Sequence, residues 1–171
     1  MIDSLSWPAN PFWDFSLRVY ARIGVAPACL NLQERHGVDV NVLLYCIWLG
    51  VERGVAISDA DAARITQSVA AWNDDVVVHL RRLRTALRID ARGAARPLSD
   101  ALRNDIKRSE LDAERIEQQI LFTQTWSDAV GATRSTPIAR ENVYAYLKSL
   151  GIQPNSDDDE EVGTILVGLE I

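Results

Sequence analysis

Apolar residues recur along this chain at three- and four-residue spacing, with capping residues and glycines punctuating them, and that pattern predicts helices almost throughout. Asn10-Pro11 is a helix start, an N-cap residue followed by proline at the first helical position. The first helix then runs to about Ala21 and carries Phe12, Trp13, Phe15, Leu17, Val19 and Tyr20. Its polar face is narrow, Asp14 and Arg18, so most of it must be covered. A second helix spans about Ala26 to His36 and ends at Gly37, a C′ glycine. Asp39 caps a third, Val40 to Arg53, in which Val40, Leu43, Leu44, Ile47, Trp48 and Val51 form one face and Tyr45, Cys46 and Leu49 make the rest apolar. A helix that is apolar all round belongs at the centre of a domain.

Ser58 caps a fourth helix through Ile65, Val69 and Trp72, with Asn73-Asp74 as a break or kink. A fifth carries Val76, Leu80, Leu83 and Leu87 inward and Arg81, Arg82, Arg84 and Arg88 outward. Gly93 to Pro97 reads as a linker, and Ser99 as the cap of a sixth helix reaching about Val130. Ser109-Glu110-Leu111-Asp112 resembles a second cap, which predicts a break there. Thr136-Pro137 opens a last helix that Gly151 ends. The run Asp157 to Glu161 predicts a solvated segment, followed by a β-leaning Val162 to Ile171. The expected fold class is therefore all-α: residues 1–151 as a single compact domain of six or seven helices around a central apolar helix, and residues 152–171 as a flexible acidic C-terminal tail.

Length and charge narrow the functional classes. The chain has 171 residues, enough for one domain with a proper core, and a net charge of −6. The charge is segregated: residues 79–108 hold nine basic and three acidic residues, while the flanking segments are acidic. A basic helical face balanced by acidic neighbours is the plain reading. A docking site for an acidic protein partner is the sharper one, and nucleic acid is disfavoured by the acidic whole. No stretch approaches the roughly 20 apolar residues that cross a bilayer, so no membrane association is expected. The first residues lack a basic and apolar leader pattern, and Cys29 and Cys46 sit inside apolar helical patterns, so a cytoplasmic location with buried reduced thiols is expected.

Several segments, Phe12-Trp13-Asp14-Phe15-Ser16-Leu17, Gly37-Val38-Asp39-Val40-Asn41-Val42-Leu43-Leu44, Trp48, Trp72, and Leu80-Arg81 with Leu83-Arg84, resemble a small family of uncharacterised proteobacterial proteins of about this length. The resemblance runs over roughly residues 10 to 125. It implies a bacterial cytoplasmic protein and carries no activity, substrate or cofactor.

Chemistry must be read from the residues themselves. His36 and His79 are the only histidines, and neither CxxC nor HExxH nor a glycine-rich phosphate loop is present, so no metal and no cofactor is expected. Cys46, beside Ile47 and Trp48, is in a setting that blunts a thiol. Glu110, Glu114 and Glu117 line one side of the sixth helix and read as a solvated, ion-paired face. Asp39 and Asn41 at the head of the central helix are the most unusual polar pair: capping explains them, and a polar cluster that binds something there is the alternative.

No catalytic constellation emerges. The expected function is a non-enzymatic interaction, adaptor or regulatory protein whose candidate binding residues are Arg81, Arg82, Arg84 and Arg88, with Asp39 and Asn41. The rivals are a small-ligand binder or enzyme with a pocket among Trp13, Tyr20, Tyr45 and Trp48, and an RNA-binding regulator using Arg81 to Arg96.

Overall fold

The computed structural model describes residues 7–126 and 134–169. Its helices are α1 (Pro11–Tyr20), α2 (Val25–His36), α3 (Val40–Arg53), α4 (Asp59–Trp72), α5 (Val78–Ile89), α6 (Arg96–Phe122), α7 (Thr136–Ser149) and α8 (Ser156–Leu166). A π-turn over Asn73–Val77 joins α4 to α5 without interruption, so the two form one rod and the described residues make seven rods. The described residues contain no strand. The expected break at Asn73 is therefore a change of helical pitch, which keeps the backbone bonded while rotating the face that follows.

The caps fix the central element. The Asp39 side chain accepts from the Asn41 N–H, and Gly37 and Gly54 take the left-handed conformation that closes α2 and α3. Every residue from Asn41 to Val51 is buried, as a helix apolar all round requires. Tyr45 and Trp48 of α3 stack on one another, Phe12 meets Tyr45 edge-on with ring centres 5.1 Å apart and Trp48 at a tilt, and Phe122 meets Trp48 edge-on. The tightest crossing is with α7. A Cβ on Gly50 would lie 2.4 Å from the Ala139 nitrogen, so only glycine lets the two backbones approach. Asn142 of α7 is fully buried there. Its amide donates to the Cys46 and Val55 carbonyls (3.1 and 2.8 Å) and accepts from the Ile57 N–H (2.9 Å), pinning the α3–α4 loop.

Several expectations are corrected. Residues 156–166 are not a solvated acidic tail. They form α8, whose Val162, Ile165 and Leu166 belong to the same core as α3. The acidic run is its first turn: Asn155 caps the Asp157 and Asp158 N–H groups, where carboxylates meet the positive end of the helix dipole. Asp158 is fully buried against Arg35 and His36 of α2. Burial works to raise its carboxyl, but the Asn155 N–H, His36 and Arg35 outweigh that and hold it below the ordinary value. The β-leaning reading of Val162 onward fails because these residues share one helical face; the last two residues lie outside the described chain.

The remaining corrections concern α6. It begins at Arg96 with Pro97 in its first turn, so Ser99 is inside the helix, its hydroxyl bonded back to the Arg96 carbonyl. It runs unbroken past Ser109, whose hydroxyl bonds back to the Asp105 carbonyl, and it stops at Phe122 rather than near Val130. The expected loop from Gly131 begins among residues outside the described chain.

Candidate functional site

The head of α3 is the floor of a cleft of about 670 Å³. One wall is α1 and α2, through Trp13, Ser16, Leu17, Tyr20, Leu30 and Gln33. The opposite wall is a single face of α6, residues 104, 107, 108, 111, 114 and 118, which the helical repeat brings into one stripe. Arg81 and Arg84 of α5 close one end, and Asp39, Asn41 and Leu44 lie at the bottom. Leu17, Leu30 and Leu111 stand at the mouth, each about half exposed.

A buried polar network lies beneath. Asn41 donates to Glu117 (2.8 Å) and accepts from Gln118 (2.7 Å), which accepts from the Ser16 hydroxyl (2.7 Å). Asn73, placed by the π-turn, donates to both Asp39 (3.1 Å) and Glu117 (3.0 Å). The Tyr146 hydroxyl accepts from the Asp39 N–H (2.9 Å). Glu117 is 0% exposed. Its burial first, and then the neighbouring Asp39 carboxylate to which it is hydrogen-bonded, push its carboxyl well above the ordinary value, against the opposing donors Asn41 and Asn73. Its surroundings therefore favour the protonated form of Glu117.

Glu110, two turns earlier on α6, goes the other way. Burial would raise it, but Arg84 and Arg81 hold it below the ordinary carboxylate value. Arg84 binds it through two nitrogens, and Arg81 spans Glu110 (3.2 Å) and Glu114 (2.9 Å). The expectation of a solvated acidic face on α6 is thus overturned for Glu110 and Glu117, both buried. Sequence reasoning missed Glu117 as a site residue. Its signal was register: it lies four residues after Ala113 and four before Leu121, on the buried stripe.

The residues singled out in the sequence divide. Asp39 and Asn41 lie in the cleft, as do Arg81 and Arg84, but those two arginines are engaged by Glu110 and Glu114. Arg82 and Arg88 are exposed and make no ion pair among the described residues. Of the four aromatics expected to line a pocket, Trp13 and Tyr20 do, while Tyr45 and Trp48 are core. Burial pushes the Cys29 thiol up to about 12 and Cys46 further. His79 bonds the Asp74 carbonyl, and no group of three potential ligands that could hold a metal occurs among the described residues.

The raised Glu117 carboxyl fixes the sign of one pH effect. A carboxyl raised in the folded state contributes stability that is full below its unfolded value, here 4.5, and is lost as pH climbs toward the folded value. Thermal stability of the protein is expected to fall from pH 5 through 8, and Glu117→Gln to flatten that slope. A slope equally steep in both proteins would show that Glu117 is ionised.

A family described as proteins of unknown function, DUF2390, has a model that matches residues 11–121. No curated protein and no solved structure matches the chain.

Proposed function

The chain belongs to this family of unknown function, and from that premise we propose that it is a non-enzymatic binding protein for a small amphipathic molecule held in the cleft at the head of α3. The observation that carries the reading is the cleft itself: a concavity of about 670 Å³ with an apolar α1–α2 side, an α6 side that is polar and charged apart from Leu111, and polar groups converging at its floor, an anatomy suited to a small amphipathic molecule. Trp13, Leu17, Leu44 and Leu111 would take the apolar body. At the inner end Asp39 and the Tyr20 hydroxyl, which has no hydrogen-bond partner among the described residues, would meet a hydrogen-bonding group. At the outer end Arg108 is held by Asp105, while Lys107 has no acidic partner among the described residues and would meet an anionic group. The ligand class is then an organic anion with an apolar body. Glu117 lies behind the floor rather than in the cleft, which favours binding over acid–base catalysis.

The setting we propose is the bacterial cytoplasm, supported by two buried free thiols. No helix among the described residues is long and apolar enough to cross a membrane. An RNA-binding role is weakened by the engagement of Arg81 and Arg84 with Glu110 and Glu114.

The test uses two fluorescent probes of similar body, the anionic anilinonaphthalene sulfonate and the uncharged phenylnaphthylamine. Both should bind saturably at one site. Leu111→Glu should weaken both by about tenfold, about 1.4 kcal/mol. Lys107→Glu should weaken the anionic probe alone. Unsaturable binding, or binding indifferent to both substitutions, would overturn the reading.

A further inference from the structure

The charges that line the cleft are sorted along its length. Lys107 stands at the outer end with no acidic partner among the described residues. In the middle, Arg81 and Arg84 answer Glu110 and Glu114, so guanidinium groups and carboxylates balance there. At the inner end lies Asp39, which lines the cleft and makes no ion pair among the described residues. Its oxygens accept from neutral donors, the Asn41 N–H (2.8 Å) and the Asn73 amide (3.1 Å).

Capping accounts for one negative group at this place and no more. The amino end of a helix counts for about half a positive charge, and Asp39 already answers it. Yet a second carboxyl, that of Glu117, is set behind Asp39 and hydrogen-bonded to it. It is fully buried and has only the Asn41 and Asn73 amides for donors, with no basic partner among the described residues. Glutamate is almost never buried so completely unless a cation is paired with it. Two carboxyls at one spot, one of them facing the cleft, attract a positive group that enters there.

The spacing of the two ends is set by α6. Lys107 and Glu117 are ten residues apart, which at 1.5 Å per residue separates the outer and inner charges by about 15 Å. Trp13, Leu17, Leu44 and Leu111 lie along the cleft with them. Taking the cleft as the ligand site described above, we infer that its inner end seats a protonated amine on Asp39. The ligand is then an elongated amphipathic zwitterion, with amine and anion at opposite ends of an apolar body. An ammonium brings three donors and no acceptor, which suits the Asp39 carboxylate and the Tyr20 hydroxyl oxygen, both able to accept. An uncharged hydroxyl would meet the same acceptors and leave the charge unanswered.

The test is displacement of anilinonaphthalene sulfonate from the full chain, at neutral pH, by dodecanoate, α-aminododecanoate and ω-aminododecanoate. The two amino acids are isomers that differ only in where the amine sits. The ω isomer should displace the dye at about one tenth of the concentration that the α isomer needs, the scale of one hydrogen bond between charged groups. In Asp39→Asn that advantage should vanish, while dodecanoate displaces the dye no less well than before. Asparagine caps a helix as well as aspartate does, so the variant keeps the fold, checked by an unchanged helical spectrum. An α isomer that binds as tightly as the ω isomer, or an advantage that survives Asp39→Asn, overturns the inference and leaves the cleft as a site for anions. Dye that binds without saturation overturns the ligand site and this inference with it.

Discussion

Gly50→Leu is expected to abolish folding, because the α3–α7 crossing has no room for a side chain. The first atom added would stand 2.4 Å from a backbone nitrogen and 2.5 Å from a backbone carbon of Ala139, neither of which can swing aside as a side-chain end could. Gly50→Ala is the graded version, and two effects compete in it. Alanine in a helix interior is worth about 1 kcal/mol over glycine. Overpacking a tight core costs about 1–3 kcal/mol and sometimes more, and at this separation the cost wins. Gly50→Ala should therefore lose about 1–2 kcal/mol in a urea titration. Gly163 of α8 is the control, because a Cβ there meets only the tip of Arg140 at 3.7 Å. Gly163→Ala should gain about 0.5–1 kcal/mol. If Gly50→Ala is as stable as Gly163→Ala, α7 does not cross α3 at this point.

Asn142→Asp should be nearly as damaging, although it changes no shape. The Asn142 amide donates to two carbonyls and accepts from one N–H, all in the interior. An aspartate keeps the acceptor, loses both donors, and turns a negative charge toward the Cys46 and Val55 carbonyls. An uncompensated buried charge costs about 3–5 kcal/mol. The sign of its pH dependence follows. The buried carboxyl is raised in the folded state, so the deficit relative to the parent is least below the unfolded value of about 3.9 and grows as pH rises above it. Paired urea titrations at pH 4 and 7 read both numbers. A deficit under about 1 kcal/mol at pH 7 would mean that the α3–α4 loop is held by something else.

Much of the architecture was legible because the chain marks its own boundaries. Asp39, Gly37 and Gly54 delimit α3 to the residue, and the all-round apolar composition of Val40 to Val51 puts it at the centre. The α8 helix was hidden by composition: five consecutive acids look solvated. Yet Asn155 followed by Asp158 is a capping box, and Val162, Ile165 and Leu166 keep the spacing of a buried helical face. Local pattern was present there and was outweighed by net charge. The break expected in α6 failed the opposite way, because a serine followed by acids caps a helix only where the chain has already turned.

The site was half visible. Asp39 and Asn41 stood out as polar residues at the head of an apolar helix, but their partners did not. Glu117 is 76 residues from Asn41 and 44 from Asn73, and Asn73 reaches it only because the π-turn rotates the chain. The same distance in sequence concealed that Arg81 and Arg84 are neutralised by Glu110 and Glu114. A basic face seen on one helix is not a free face until its neighbour is known.

The order in which the core closes has a consequence for biosynthesis. The central helix is translated well before its partners, since the helix that crosses it at Gly50 lies near residue 139 and the one that seals α2 begins at Ser156. Contacts this distant must wait for the intervening chain, and their loop-closure entropy makes them slow. The α5–α6 hairpin, whose contacts are local, can form in the meantime. A nascent chain therefore displays its most apolar described helix until α7 and α8 have been made, and it is at this stage that a holdase would be needed.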